Sequence, residues 1–247
     1  MATFGLLRSL LMYYGLPGRA GRMRRFYAGF IRPGDLCFDI GAHVGSRLRV
    51  WLALGARVVA VEPQPAFLSL LRRLYGRRPG ILLEGCALGA APGQAQMFVS
   101  RRTPTVTTLS QEWMASVARA RSFASVRWEQ AVPVQVETLD GLIERHGLPD
   151  FCKLDVEGYE LEILKGLSRP LPRLSFEVIP AASALAAGCL ERLAQLGDYE
   201  YNLSTGESMR LEWGTWAGAG QVRAWLDGLG PDDPSGDIYA RLRKESH

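Results

Sequence analysis

Apolar positions along the chain recur with two periods, and the two alternate. Short apolar runs read as buried parallel strands at Leu36–Ile40, Val58–Val61, Ile81–Glu84 and Phe151–Asp155, with further strands at Ala95–Ser100, Val132–Val136 and Leu174–Ile179. Between them the spacing turns helical. Leu48, Trp51 and Leu52 share one helix face, and so do Phe67, Leu70, Leu71 and Leu74. Later helices are expected at Leu139–His146, Tyr159–Leu167, a stretch marked by Leu185, Cys189, Leu193 and Leu196, and Gln221–Leu229. Tyr199–Ser204 and Met209–Trp213, split by Thr205-Gly206-Glu207-Ser208, read as a hairpin, and Ser235–Arg243 as a last extended segment. Strand–helix alternation predicts an α/β fold: a mostly parallel, Rossmann-like sheet with helices on both faces and a terminal antiparallel hairpin. Residues 101–130 show no clear period; with Thr103, Thr105, Thr107, Thr108 and Ser110 clustered at their start, they read either as a mobile loop over the site or as an exposed excursion.

Residues 1–30 are expected to form a helical N-terminal arm, with Leu6, Leu7, Leu10 and Leu11 on one face and Tyr13, Tyr14, Phe26, Tyr27 and Phe30 adding aromatics. Residues 31–247 then form a single domain. No run approaches the ~20 apolar residues of a membrane span. No signal peptide is read at the start, and Cys37, Cys86, Cys152 and Cys189 form no C-x-x-C pair, so a cytoplasmic location is expected. Charge is uneven. The chain carries +4 overall, while the first thirty residues hold five arginines and no acid. That arm either covers apolar surface with its arginine stems or meets a phosphate, nucleic acid or acidic lipid surface.

The most informative stretch is Asp39-Ile40-Gly41-Ala42-His43-Val44-Gly45, which turns the first strand into the first helix. A dinucleotide fingerprint needs glycines at the first, third and sixth positions. Here those positions are Gly41, His43 and Ser46, so a pyrophosphate is not indicated. A second acid, Glu62, ends the next strand. Ligands of open α/β sheets bind at the carboxyl ends of the strands, where an acid can take both ribose hydroxyls. The combination suits a nucleoside without a pyrophosphate, such as S-adenosylmethionine (SAM). Cys86 and Ala87 leave the third strand at the same edge and are expected beside the adenine.

Asp155 ends a strand expected beside the first one, and Glu157 follows two residues later. Either can orient or deprotonate an acceptor hydroxyl. Asp155 can instead be the N-cap of the next helix. His43 is either a base or a turn residue bonded to the backbone. Asp155, Glu157 and Glu177 are the residues that could share Mg²⁺, but their spacing follows no metal-binding rule and no metal is expected.

DIGAHVG, VEP, KLDVEGYELEILKG and SFEVI together resemble the FkbM-type SAM-dependent methyltransferases over roughly Phe30–Pro180. The resemblance implies the seven-stranded class I methyltransferase fold, SAM as cofactor, and O-methylation of a hydroxyl on a sugar or natural product. It places Asp39, Gly41 and Gly45 in the SAM turn and Glu62 on the ribose, with Asp155 and Glu157 at the transfer. His43 departs from the Asn commoner in the family. Two other readings differ in class: a Rossmann-type oxidoreductase, weakened by the failed glycine pattern, and a nucleic-acid-binding protein retaining a SAM fold, for which no recognition module is visible.

Overall fold

A computed structural model describes residues 18–243. The apolar face read at Leu6–Leu11 lies outside the described residues. Helix α1 (Arg19–Tyr27) leads into β1 (Leu36–Ile40), α2 (Ser46–Ala53), β2 (Arg57–Val61), α3 (Pro65–Tyr75) and β3 (Ile81–Glu84). The middle of the chain holds β4 (Ala87–Leu88), β5 (Gly93–Val99), α4 (Gln111–Val117) and β6 (Gln130–Glu137). Then come α5 (Leu139–His146), β7 (Phe151–Leu154), α6 (Glu160–Lys165), β8 (Arg173–Val178), α7 (Ser183–Leu196), β9 (Tyr199–Thr205), α8 (Ala219–Asp227) and β10 (Gly236–Leu242).

Seven strands form the main sheet in the order β3-β2-β1-β7-β8-β10-β9, with β10 antiparallel to both its neighbours. This is the mostly parallel arrangement with an antiparallel pair at one end that the sequence implies. Its strands are buried on both faces, and the period-two rule assigns them. Phe38 and Ile40 pack with Leu139, Ile163 and Phe176 on one face; Cys37 packs with Leu48, Trp51 and Tyr27 on the other. Residues 18–31 join this second face through Met23, Tyr27 and Phe30. Register aligns the carboxyl ends. Ile40 stands opposite both Val61 and Leu154, and Val61 opposite Glu84. Residues 41, 62, 85 and 155 therefore leave the sheet along one edge.

Three expectations need correction. The antiparallel pair consists of β9 and β10, not of 199–204 and 209–213. Residues 209–213 form no strand, and the backbone of Trp213 is held instead by the buried Asn202 side chain. Its Nδ2 donates to the Trp213 carbonyl at 2.9 Å, and its Oδ1 accepts from Trp213 N at 3.1 Å. Second, the strands at 93–99 and 130–137 do not join the main sheet; with β4 they build a separate three-stranded sheet. Third, residues 101–130 contain α4, capped by Ser110, whose hydroxyl accepts from Trp113 N at 3.0 Å. Trp113 is buried against Gly158, where a Cβ would meet the indole at 2.2 Å. Seven residues are too few for an apolar period to show, so only the serine cap marked this helix. The excursion is pinned to the loop after β7.

Candidate active site

Three loops meet at the common edge: the turn after β1, the loop after β2 and the loop after β7. They enclose a cavity lined by Gly41, Ala42 and His43, by Glu62 and Gln64, by Cys86 and Ala87, and by Asp155 and Glu157. Eight of the ten residues singled out from the sequence converge there. Asp39 and Gly45 do not. Asp39 lies beneath the cavity floor, 1% exposed, and Gly45 starts α2 against Leu71 and Tyr75.

Gly41 shows why the strand must end as it does. Its φ is +84°, and a Cβ there would stand 1.9 Å from the Asp155 carbonyl oxygen. Only glycine permits this approach of the β1 and β7 loops. Glu62, 2% exposed, braces the turn from the next strand. Its Oε2 accepts from His43 N at 2.8 Å and its Oε1 from Gln64 N at 2.9 Å. A carboxylate has about four lone-pair sites, so each oxygen retains one for a ligand hydroxyl. Burial pushes Glu62 up to about 7, against the pull of those two N–H groups.

His43 occupies left-handed backbone, φ 49°, and its ring packs on Phe67 with centroids 4.2 Å apart. Burial lowers it to about 4, so its imidazole is neutral near pH 7. That fits the turn role, in which the backbone N–H bonds Glu62 and the ring packs on Phe67.

Asp155 is set by charges the sequence reading did not single out. Arg47 Nη1 lies 2.9 Å from its Oδ2, and Lys153 Nζ 3.6 Å from the same oxygen. Lys153 is wholly buried and also donates to Asp237 Oδ1 at 2.5 Å, from β10. Burial alone would raise Asp155, but Lys153 and then Arg47 outweigh it and hold the carboxyl below its usual range. Asp155 is therefore ionised. It caps no helix: α6 starts at Glu160 with Tyr159 in the cap position. A lysine inside the apolar run Phe151–Leu154 was the available signal for this network.

Glu157 sits at φ 55° and its carbonyl accepts from Thr108 Oγ1 at 2.6 Å, which ties the excursion to the site. Gln64 makes a second tie: its Nε2 donates to the Pro104 carbonyl and its Oε1 accepts from Thr107 Oγ1, both at 3.3 Å. Thr105 and Thr107 consequently wall the cavity, along with Tyr159; the threonines belong to the excursion, and none of the three is among the site residues expected from the sequence. Asp155, Glu157 and Glu177 bring oxygens within 4.8 Å of one another. Such a set could hold a hard divalent cation or share protons. Burial first, then the neighbouring carboxylates, raises Glu157 and Glu177 well above the usual range.

These shifts have a definite sign for stability. Asp39 rises to about 6, Glu62 and Glu160 to about 7, and Glu157 and Glu177 shift the same way, all with burial as the leading cause. Between about pH 4 and 7 the folded chain thus binds more protons at these acids than the unfolded chain, and stability falls as pH rises. His43, lowered to about 4, opposes this over part of the range, and so does Asp155, whose lowered pKa adds stability that is lost only in acid. With five acids against these two groups, the ligand-free protein is expected to unfold at lower urea at pH 8 than at pH 5.5. A midpoint that rises with pH across this interval would contradict the assignment of protons to the buried carboxyls.

Comparison with known proteins follows the same lines. The family model for the methyltransferase FkbM domain matches residues 39–226. A curated relative, the hexuronic acid methyltransferase AglP of Haloferax volcanii, is 25% identical over 148 residues, covering 59% of this chain and 55% of that protein. The chain thus spans about half the length of this relative. Solved structures with a similar course include the precorrin-6Y C5,15-methyltransferase of Geobacter metallireducens (TM-score 0.43, 12% identity, 91% of this chain and 87% of that one). Another is a TehB-like SAM-dependent methyltransferase of Corynebacterium glutamicum (TM-score 0.44, 9% identity, 90% and 88%). A third is a putative RNA methyltransferase of Pyrococcus horikoshii (TM-score 0.45, 10% identity, 92% and 83%). The family match spans most of the chain and both halves of the cavity, and the chain belongs to the FkbM methyltransferase family, enzymes that take the methyl group from SAM.

Proposed function

We propose that this methyltransferase O-methylates a hydroxyl of a small molecule of the sugar or natural-product class. The observation that carries this reading is the ionised Asp155, held by Arg47 and Lys153 at the cavity wall. Methyl transfer is an in-line displacement at carbon. The sulfonium leaves readily, so the enzyme's main task is to align the attacking oxygen. A hydroxyl donates to Asp155 and thereby points a lone pair at the methyl carbon. As the C–O bond forms, its proton becomes acidic and passes to the carboxylate, a contribution of about 10²–10⁴-fold. Glu157 positions the acceptor beside it.

The same charges speak against an acceptor carboxylate. Asp155 lines the cavity as a carboxylate, and Arg47, its one permanently charged cation among the described lining residues, is already paired. A sugar acid would accordingly present a hydroxyl. The name of the Haloferax relative supports an acceptor of the sugar-acid class. Within the cofactor half, we assign the ribose to Glu62, the adenine to Cys86 and Ala87, and the methionyl end to the turn at Gly41, Ala42 and His43.

Labelled SAM incubated with hexoses and hexuronic acids tests the reading. A base-stable methyl ether is expected; a base-labile methyl ester would identify a carboxylate acceptor and overturn it. Glu62→Gln keeps the shape but turns an amide N–H₂ toward the cavity floor, and should weaken SAM binding by ~1.5–3 kcal/mol. Calorimetry with unchanged affinity would remove Glu62 from the ribose. Asp155→Asn cannot take the proton, and single-turnover transfer should slow by ~10²-fold or more while SAM affinity changes little. Glu157→Gln should slow it less. A wild-type rate in Asp155→Asn would eliminate Asp155 as the base.

A further inference from the structure

Gln64 occupies the cap position of α3, yet its side chain makes no capping bond. The side chain reaches the excursion instead. Its Nε2 donates to the Pro104 carbonyl, and its Oε1 faces the Thr107 hydroxyl, both at 3.3 Å. Its backbone N–H is engaged separately, on Glu62 Oε1 at 2.9 Å. One residue therefore touches both the acid that braces the β1 turn and the chain that walls the cavity.

That chain crosses the cavity from one side to the other. β1 lies between β2 and β7, and neighbouring strands stand about 4.8 Å apart, so the loops after β2 and β7 flank the β1 turn about 10 Å from each other. Gln64 belongs to the first loop and Glu157 to the second. Pro104 and Thr107 meet Gln64, and Thr108 Oγ1 donates to the Glu157 carbonyl at 2.6 Å. Residues 104–108 thus form a strap, with Thr105 and Thr107 lining the cavity. Its two ends are held unequally. Thr108 exchanges two backbone hydrogen bonds with Phe98, at 2.8 and 3.1 Å. Among the described residues, the hydrogen bonds that reach Pro104–Thr107 from outside residues 100–108 come from two side chains. One is Gln64; the other is Trp128, whose Nε1 donates to the Val106 carbonyl at 2.9 Å. Backbone pairing anchors the strap at Thr108, and side chains alone fasten the rest.

We propose that Gln64 is a positioning residue that latches this strap, and that the strap opens on the Gln64 side to admit and release SAM. The inference rests on SAM occupying the cavity. A latch that is closed in the ligand-free protein slows entry and exit alike, so loosening it speeds both rates and leaves their ratio nearly unchanged. A direct ligand contact behaves differently: its loss speeds release and weakens affinity by the same factor. Gln64→Ala keeps the backbone N–H on Glu62 and removes only the side-chain ties. Rapid-mixing kinetics with S-adenosylhomocysteine should show association and dissociation both faster by about 3–10-fold, the worth of an ordinary hydrogen bond, with the dissociation constant within about 2-fold of wild type. Trypsin gives a second readout, because Arg101 and Arg102 are exposed at the foot of the strap. S-adenosylhomocysteine should slow cleavage after them in the wild type, and Gln64→Ala should speed it in the ligand-free protein. Unchanged rates in Gln64→Ala overturn the latch. Faster release with unchanged entry also overturns it and makes Gln64 a cofactor contact, and so does cleavage indifferent to both the ligand and the substitution. The placement of the ribose is read separately: unchanged affinity in Glu62→Gln with faster rates in Gln64→Ala faults the ribose assignment and supports the latch, while the converse pattern faults the latch alone.

Discussion

A lysine buried in the central sheet is the constraint on which the site depends. Lys153 is fully enclosed between β1 and β8, and its charge is tolerable only because Asp155 and Asp237 flank it. Burying an unpaired ammonium would cost several kcal/mol, so the three groups stand or fall together. Asp237 comes from β10, the antiparallel strand near the far end of the chain. The ion pair thus couples β10 to the loop that carries Asp155. It also fixes the protonation state of Asp155. Without Lys153 and Arg47, burial would push that carboxyl upward, as it does Glu157 and Glu177 next to it.

One set of close acids therefore holds two kinds of carboxyl. Asp155 is ionised by its cations, and Glu157 and Glu177 are raised by burial first and then by neighbouring carboxylates, Asp155 among them. Environments that push neighbouring carboxyls apart separate their roles. The cofactor half works differently. There Glu62 is bound by two backbone N–H groups, and the charge it carries depends on pH and on the ligand it meets. A sulfonium cation arriving beside these acids has a favourable field, which matches a donor that carries positive charge.

Much of this was legible in the chain itself. The short apolar runs and the acids at their ends located the ligand edge, because register in a parallel sheet aligns strand ends that the sequence shows only separately. Gly41 stood out as the first glycine of the turn between the first strand and the first helix. What stayed hidden depended on partners distant in sequence. Lys153 reads as an interruption of an apolar strand until Asp237, 84 residues later, is seen beside it. Asn202 reads as a polar strand residue until its side chain is seen holding Trp213. The excursion at 101–130 showed no period because its seven-residue helix buries only Trp113 and Val117, too few positions for a repeat to register.

On the proposed reading the cofactor's ribose rests on Glu62 while its reactive end faces Asp155. A crystal structure with S-adenosylhomocysteine tests this most directly. It is expected to show both ribose hydroxyls on the Glu62 carboxylate, the adenine against Cys86 and Ala87, and the thioether sulfur turned toward Asp155. A ribose bound elsewhere, or a sulfur turned away from Asp155, would contradict it.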